Sequence, residues 1–170
     1  MAFKLQDFRS AVRDLTRGYR FECEINFPTI VGSSSLANIL CHSHNFPGRK
    51  VDATTETWFM GQHYKLAGDL SYTPWQGTFR IDDNWDVYKK MKAWHEVVHG
   101  TETNISAFPT GYKSSVTLYQ LDVAGNRIVS IELNGAWPTA VTVSGLDTTK
   151  RDPLDMTVTW QYDFNKFTVL

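Results

Sequence analysis

From Lys113 to Phe164 apolar and polar residues alternate with the period of a β-ladder, and this pattern constrains the chain more than any other feature. The closing strand is nearly ideal. Met156, Val158, Trp160, Tyr162 and Phe164 fall on one side, Thr157, Thr159, Gln161 and Asp163 on the other. Successive side chains of a strand take opposite faces, so one face packs and the other stays wet. The segment Asn134-Gly135-Ala136-Trp137-Pro138-Thr139 interrupts the alternation, and the reading on its far side is a separate short strand, Val141–Val143. Surfaces of this kind, with little catalytic equipment beside them, point to a structural part rather than an enzyme.

The same periodicity marks Tyr19 to Phe27, where Tyr19, Phe21, Cys23, Ile25 and Phe27 alternate with Arg20, Glu22, Glu24 and Asn26 until Pro28 ends the run. A second strand is expected over Leu36–Ser43, and another over Gln76–Ile81. Between them, residues 49–72 read as a projecting loop or hairpin with a bulge or bend at Gly61. Tyr112–Val123 and Arg127–Leu133 form a hairpin through Ala124-Gly125-Asn126. One helix is expected over residues 84–99. Asp83 is its N-cap, Val87, Met91, Trp94 and Val98 its apolar stripe, and Gly100 its terminator. Residues 101–111 and 144–153 read as loops, and residues 1–18 as an N-terminal arm. Six to eight strands around one helix make a mainly β, single-domain β-sandwich or small barrel with one flanking α-helix.

Seventeen basic residues against eighteen acidic ones leave no surplus to hold nucleic acid tightly. No apolar run is long enough to span a bilayer, so no membrane partner is expected. Charges near the N-terminus stand where a signal peptide needs an apolar block. Cys23 and Cys41 read as two small buried thiols. A disulfide between them needs Cβ atoms within about 4 Å, which spacing along the chain does not decide. The tryptophans read as core and contact anchors.

His95-Glu96-Val97-Val98-His99 matches H-E-x-x-H on the expected helix, the arrangement in which two histidines hold zinc and the glutamate activates a bound water. It defines an alternative reading, a zinc-dependent hydrolase. Three features weigh against it. A catalytic zinc needs a third protein ligand, and no histidine follows His99; Glu132 would have to be assigned without a motif. The helix ends directly after the second histidine. The residues also sit where an ordinary amphipathic helix places polar groups. His42 and His44, on one face of the expected second strand, are a weaker metal pair. No catalytic, cofactor or metal residue is assigned.

Read in order, several segments resemble the tail tube proteins of contractile-tailed bacteriophages, and the similarity spans nearly the whole chain. They are Leu66-Ala67-Gly68-Asp69 followed by Pro74-Trp75-Gln76-Gly77-Thr78-Phe79, then Met91-Lys92-Ala93-Trp94, Tyr112-Lys113-Ser114-Ser115, Ile131 through Thr139, and the strand Met156–Phe164. The resemblance implies no catalysis and no cofactor. It implies a homo-oligomer, six copies closing a ring and rings stacking into a hollow tube inside a sheath. The implied partners are the tail sheath protein, a baseplate tube initiator, a tail terminator and a tape measure protein in the lumen, with DNA passing transiently and without sequence preference. The implied place is the virion, after assembly in the host cytoplasm. A secretion or injection device has a related inner tube or tube initiator, which stands as a second alternative.

Two sets of surface residues follow as expectations. Phe3, Leu5, Phe8, Val51, Trp58, Phe59 and Met60 lie in stretches that fit a monomer core poorly and are assigned to contacts within or between rings. The polar faces Arg20, Glu22, Glu24, Asn26 and Thr157, Thr159, Gln161, Asp163 are both candidates for the wet wall of the bore, with the choice left open.

Overall fold

In the computed structural model, which describes residues 4–6, 15–52, 56–149 and 151–170, the C-terminal alternation becomes a long two-stranded ribbon. Eleven strands are formed among the described residues: β1 Phe21–Ile25, β2 Cys41–His44, β3 Arg49–Val51, β4 Glu56–Phe59, β5 Gln62–Lys65, β6 Leu70–Tyr72, β7 Trp75–Arg80, β8 Ser114–Leu121, β9 Arg127–Val143, β10 Asp155–Gln161 and β11 Phe164–Val169. Three helical segments join them: α1 Ser35–Leu40, α2 Asp86–Val98 and α3 Pro109–Tyr112. The mainly β architecture with one long flanking helix agrees with the sequence reading.

The ribbon is β9 paired along one side with β10 and then β11, antiparallel throughout. Its first half joins β8 and β1 in one sheet, sheet A, in the order β1-β8-β9-β11. Its second half joins β10, β7 and β2 in sheet B, in the order β9-β10-β7-β2. The expected break at residues 134–139 is therefore a corner inside one seventeen-residue strand. Gly135 has φ 65°, and the register steps over it between Ser114 and Ser115 of β8. A glycine bulge bends a strand without ending it. Pro138 lies beyond Ser114, where among the described residues β9 has β10 as its only partner, so its missing N–H is tolerated.

The two sheets enclose one core. Trp75, Phe79, Met91, Trp94, Leu133, Met156, Val158 and Trp160 are fully buried, as the closing strand's alternation requires. The Trp94 ring meets Trp160 edge-on at 4.9 Å, and Trp75 lies 6.0 Å from Trp160. Each such side chain removed from water contributes about 1.5–3 kcal/mol. Helix α2 inserts Val87, Met91 and Trp94 into this core. The Trp94 Nε1–H donates to Tyr112 O at 2.7 Å.

Three local expectations change. Leu36–Ser43 is not one strand: Ser35–Leu40 turns as a helix that buries Ala37, and only Cys41–His44 is extended. The α2 cap is Trp85, at φ 59°, with Asp82 rather than Asp83 accepting from the Asp86 and Val87 amides at 3.2 and 3.4 Å. The helix ends at Val98, and residues 101–111 include the start of the short turn α3. Residues 49–72 do form a hairpin. β3 and β6 are its stem and β4 and β5 its tip, with Met60 and Gly61 in the turn at φ 47° and 79°. The Tyr162 hydroxyl donates to Gly48 O at 3.2 Å and ties the stem to the core.

Candidate functional site

The H-E-x-x-H residues do not assemble a metal site. His99 lies beyond α2 at φ −152°, so the two histidines do not share a helix face. Its ring nitrogens meet Ser106 Oγ at 2.8 Å and Asn104 Oδ1 at 2.9 Å. His95 Nε2 contacts Thr139 O at 3.3 Å. Glu96 accepts from the Thr101 amide and hydroxyl, which together hold its carboxyl below the usual range. All three therefore tie the end of α2 to its loop and to β9. His42 and His44 also diverge. A register shift between Cys41 and Ser43 sends His42 to Asp155 at 3.2 Å. His44 lies 4.6 Å from the Phe21 ring and 6.0 Å from Trp75. Among the described residues no three metal-ligating side chains cluster.

The outstanding surfaces are strand edges. Among the described residues, sheet A ends on one side at β1 and on the other at β11, which pairs with β9 alone. The Leu170 amide bonds Ile128 O, so by strand alternation the amides of Asn165, Phe167 and Val169 point away from β9. Phe167, Val169 and Leu170 are 63%, 70% and 65% exposed. Natural proteins usually blunt such an edge, because an uncovered apolar one templates pairing with another chain. On β1 the Ile25 amide is met by Asn38 Oδ1 at 3.0 Å, while a cleft lies along Phe21 to Glu24. Sheet B is better closed. A register shift distorts β2, and Thr139 of β9 meets His95 of α2.

The two polar faces named from the sequence belong to different sheets. Glu22 and Glu24 project from the solvent face of sheet A beside Tyr119 and Thr117 of β8. Arg127 joins them, with a nitrogen 2.9 Å from Glu22 and another 4.0 Å from Glu24, and its guanidinium lies 3.8 Å above the Tyr119 ring. Arg20 and Asn26 flank β1, and Asn26 Nδ2 donates to Ser115 Oγ at 2.9 Å. Thr157, Thr159 and Gln161 face out from sheet B beside Thr142 and Thr78. Asp163 parts from them. At the break between β10 and β11 it takes Lys113 Nζ at 2.7 and 2.8 Å, below the corner at Gly135.

The apolar residues assigned from the sequence to ring contacts are exposed wherever their side chains are described. Leu5 is 67%, Val51 55%, Trp58 70% and Met60 91% exposed, and Trp58 stacks on His63 at 4.4 Å. Phe3 and Phe8 lie outside the described residues, as does the side chain of Phe59. Sequence reasoning missed the apolar edge of β11. Its signal was Phe167 and Val169, which alternate past Phe164 in the opposite phase.

The family model described as phage tail tube protein matches residues 17–168. The tail tube protein of Serratia phage KSP90 is 28% identical over 141 residues, covering 79% of each chain. Among solved structures, a chain of the six-fold symmetrised baseplate of the anti-feeding prophage superposes with a TM-score of 0.72 at 12% identity, over 93% of this chain and 98% of that one. A chain of the sheath–tube complex of an extracellular contractile injection system, PVC, in its extended state gives 0.63 at 16% identity, over 99% and 100%. At these identities the structural likeness is one of fold.

Proposed function

Because the chain belongs to the phage tail tube protein family, we propose that six copies close into a ring through the two edges of sheet A, and that stacked rings form the inner tube of a contractile tail. The observation that carries this reading is that, among the described residues, one four-stranded sheet ends on opposite sides in strands with no further strand partner, β11 uncovered and β1 covered by α1 only toward its Ile25 end. The number six draws on the six-fold symmetrised assembly of the structural neighbour. Six such sheets at about 4.8 Å between strands give a perimeter of about 115 Å and a backbone diameter of about 37 Å, which strand tilt widens. A duplex passes through such a bore.

In that ring one face of sheet A is already occupied by the protein's own sheet B, so the bore takes the other face, with Arg20, Glu22, Glu24 and Asn26. Thr157, Thr159 and Gln161 then face outward, toward the sheath. A bore lined this way does not grip DNA, since Arg127 is engaged by Glu22, Glu24 and Tyr119 and a phosphate has to displace them. The hairpin, with Val51 on its stem and Trp58, Phe59 and Met60 at its tip, reaches the next ring, as does the arm with Phe3, Leu5 and Phe8. The sheath surrounds the tube, the initiator and terminator bound it, and the tape measure protein fills it during assembly in the host cytoplasm. The protein performs no catalysis.

Phe167→Pro tests the edge. It deletes an amide that points away from β9, so the chain's own ladder is kept while pairing with a neighbour is blocked. Hollow rings and rods of the parent protein in negative-stain micrographs are expected to vanish while the subunit stays folded. Phe167→Ala, which keeps the amide, retains more assembly. A proline variant that assembles normally, or a parent chain that stays monomeric at every concentration, overturns the reading.

A further inference from the structure

The open side of the sandwich lies between β1 and β2, edge strands of different sheets that do not pair with each other. Cys23 sits at the centre of β1 and Cys41 begins β2. Both are free thiols, 2% and 8% exposed. Cys41 is the neighbour that most raises the Cys23 thiol, and Cys41 Sγ donates to Ser43 O at 4.0 Å. The two strands are held at side-chain contact distance by the Phe21 and His44 rings, centroids 4.6 Å apart. Both cysteines line the same cleft of about 510 Å³, with Asn38, Ile39 and Arg127 at its rim, so a small reagent from solvent can reach them.

We propose that Cys23 and Cys41 are a latent cross-linking site, joined by an intramolecular disulfide when the protein meets a low-molecular-weight disulfide such as oxidised glutathione. The thiolate of Cys41, the more exposed residue, attacks one glutathione sulfur, forms a mixed disulfide and releases one glutathione thiolate. The thiolate of Cys23 then attacks the Cys41 sulfur and releases the second. The protein loses two electrons and two protons, and two molecules of reduced glutathione gain them. In the dithiol the neighbouring Cys41 thiol, then burial, raise the Cys23 thiol well above its usual value; once Cys41 is in the mixed disulfide the burial remains, which keeps the Cys23 thiolate scarce at neutral pH and the closing step slow. A reducing cytoplasm leaves the pair as thiols, and the free subunit, whose β1 edge no neighbouring β11 covers, is the form in which an oxidant reaches them. The cross-link staples sheet A to sheet B and locks α1, which lies between the two cysteines, over the edge of β1.

The test is incubation of the purified full-length chain with oxidised glutathione at mildly alkaline pH. The expected result is loss of both thiols counted under denaturing conditions, with an intact mass lower by two hydrogens. Monomer mobility should persist on a non-reducing gel, and the melting temperature should rise by about 5–10 °C, reversed by dithiothreitol. Cys41→Ser under the same treatment should gain no thermal stability. Two thiols that survive prolonged oxidation, a persistent glutathione adduct, covalent dimers, or an equal gain in Cys41→Ser would each overturn the proposal.

Discussion

Replacing Gly135 by alanine tests whether the corner of β9 is what lets one strand serve two sheets. The residue sits at φ 65°, and a Cβ built there would overlap Asp163 Oδ2 and meet Cγ at 2.8 Å. The left-handed conformation costs an alanine about 1–2 kcal/mol. The overlap is with a carboxylate, which can rotate away, but only by leaving Lys113. That ion pair, with side chains 28% and 47% exposed, is screened and contributes about 0.5–1 kcal/mol. With some residual crowding against Asp163 Cβ at 3.3 Å, the total is about 2–4 kcal/mol, a melting temperature lower by about 5–15 °C. Thermal and urea unfolding of four chains separate the parts: the parent, Gly135→Ala, Asp163→Ala and the double variant. In the Asp163→Ala background, which removes the carboxylate but keeps Cβ, the glycine substitution should still carry the strain and the Cβ crowding and cost about 1.5–3 kcal/mol, leaving a coupling of about 0.5–1 kcal/mol. Strict additivity, or a Gly135→Ala cost below about 0.5 kcal/mol, would refute the argument, since neither the strain nor the contact would then exist.

His44 makes stability pH-dependent. Burial lowers its imidazole below 6.5, against the opposing bond to Asn45 O. As pH falls below 6.5 the unfolded chain takes up a proton that the folded one resists, so stability drops until the folded His44 also protonates. Melting temperatures measured downward from neutral pH should fall less steeply in His44→Gln. Replacing the hairpin tip between Asp52 and Gly68 by a short glycine turn keeps the stem bond from Asp52 N to Asp69 O at 2.8 Å. Micrographs should then show rings without long rods, and normal tube growth would count against the tip as the contact between rings. Chelator treatment should leave melting and assembly unchanged, and stoichiometric zinc lost in His95→Ala would revive the hydrolase reading.

The sheet strands, the long helix and the hairpin at residues 49–72 were legible because each carries a local period: two for a half-buried strand, 3.6 for an amphipathic helix. The failures share one cause, that a local signal can have two tertiary resolutions. Gly135 and Pro138 mark an end of a strand equally with a corner in one, and only the pairing of Phe164 with Asn134 and Gln161 with Trp137 shows that β9 passes through. Leu36, Ile39 and Leu40 are apolar enough for a strand, yet Asn38 caps the Ile25 amide and the segment coils over the β1 edge. The H-E-x-x-H match depended on a helix reaching His99, and α2 stops one residue short.

The chain's own residues determined that it would be a mainly β protein with a tryptophan-rich core, one helix and wet outer faces, because burial of alternating side chains is a property of neighbours in sequence. Which strands would be left without a partner was decided only in three dimensions. Hydrogen bonding along a sheet is settled between segments far apart in the chain, such as β1 with β8 and β11 with β9. So the open edges of sheet A, and the meeting of Cys23 with Cys41 across the mouth of the sandwich, belong to the tertiary structure alone.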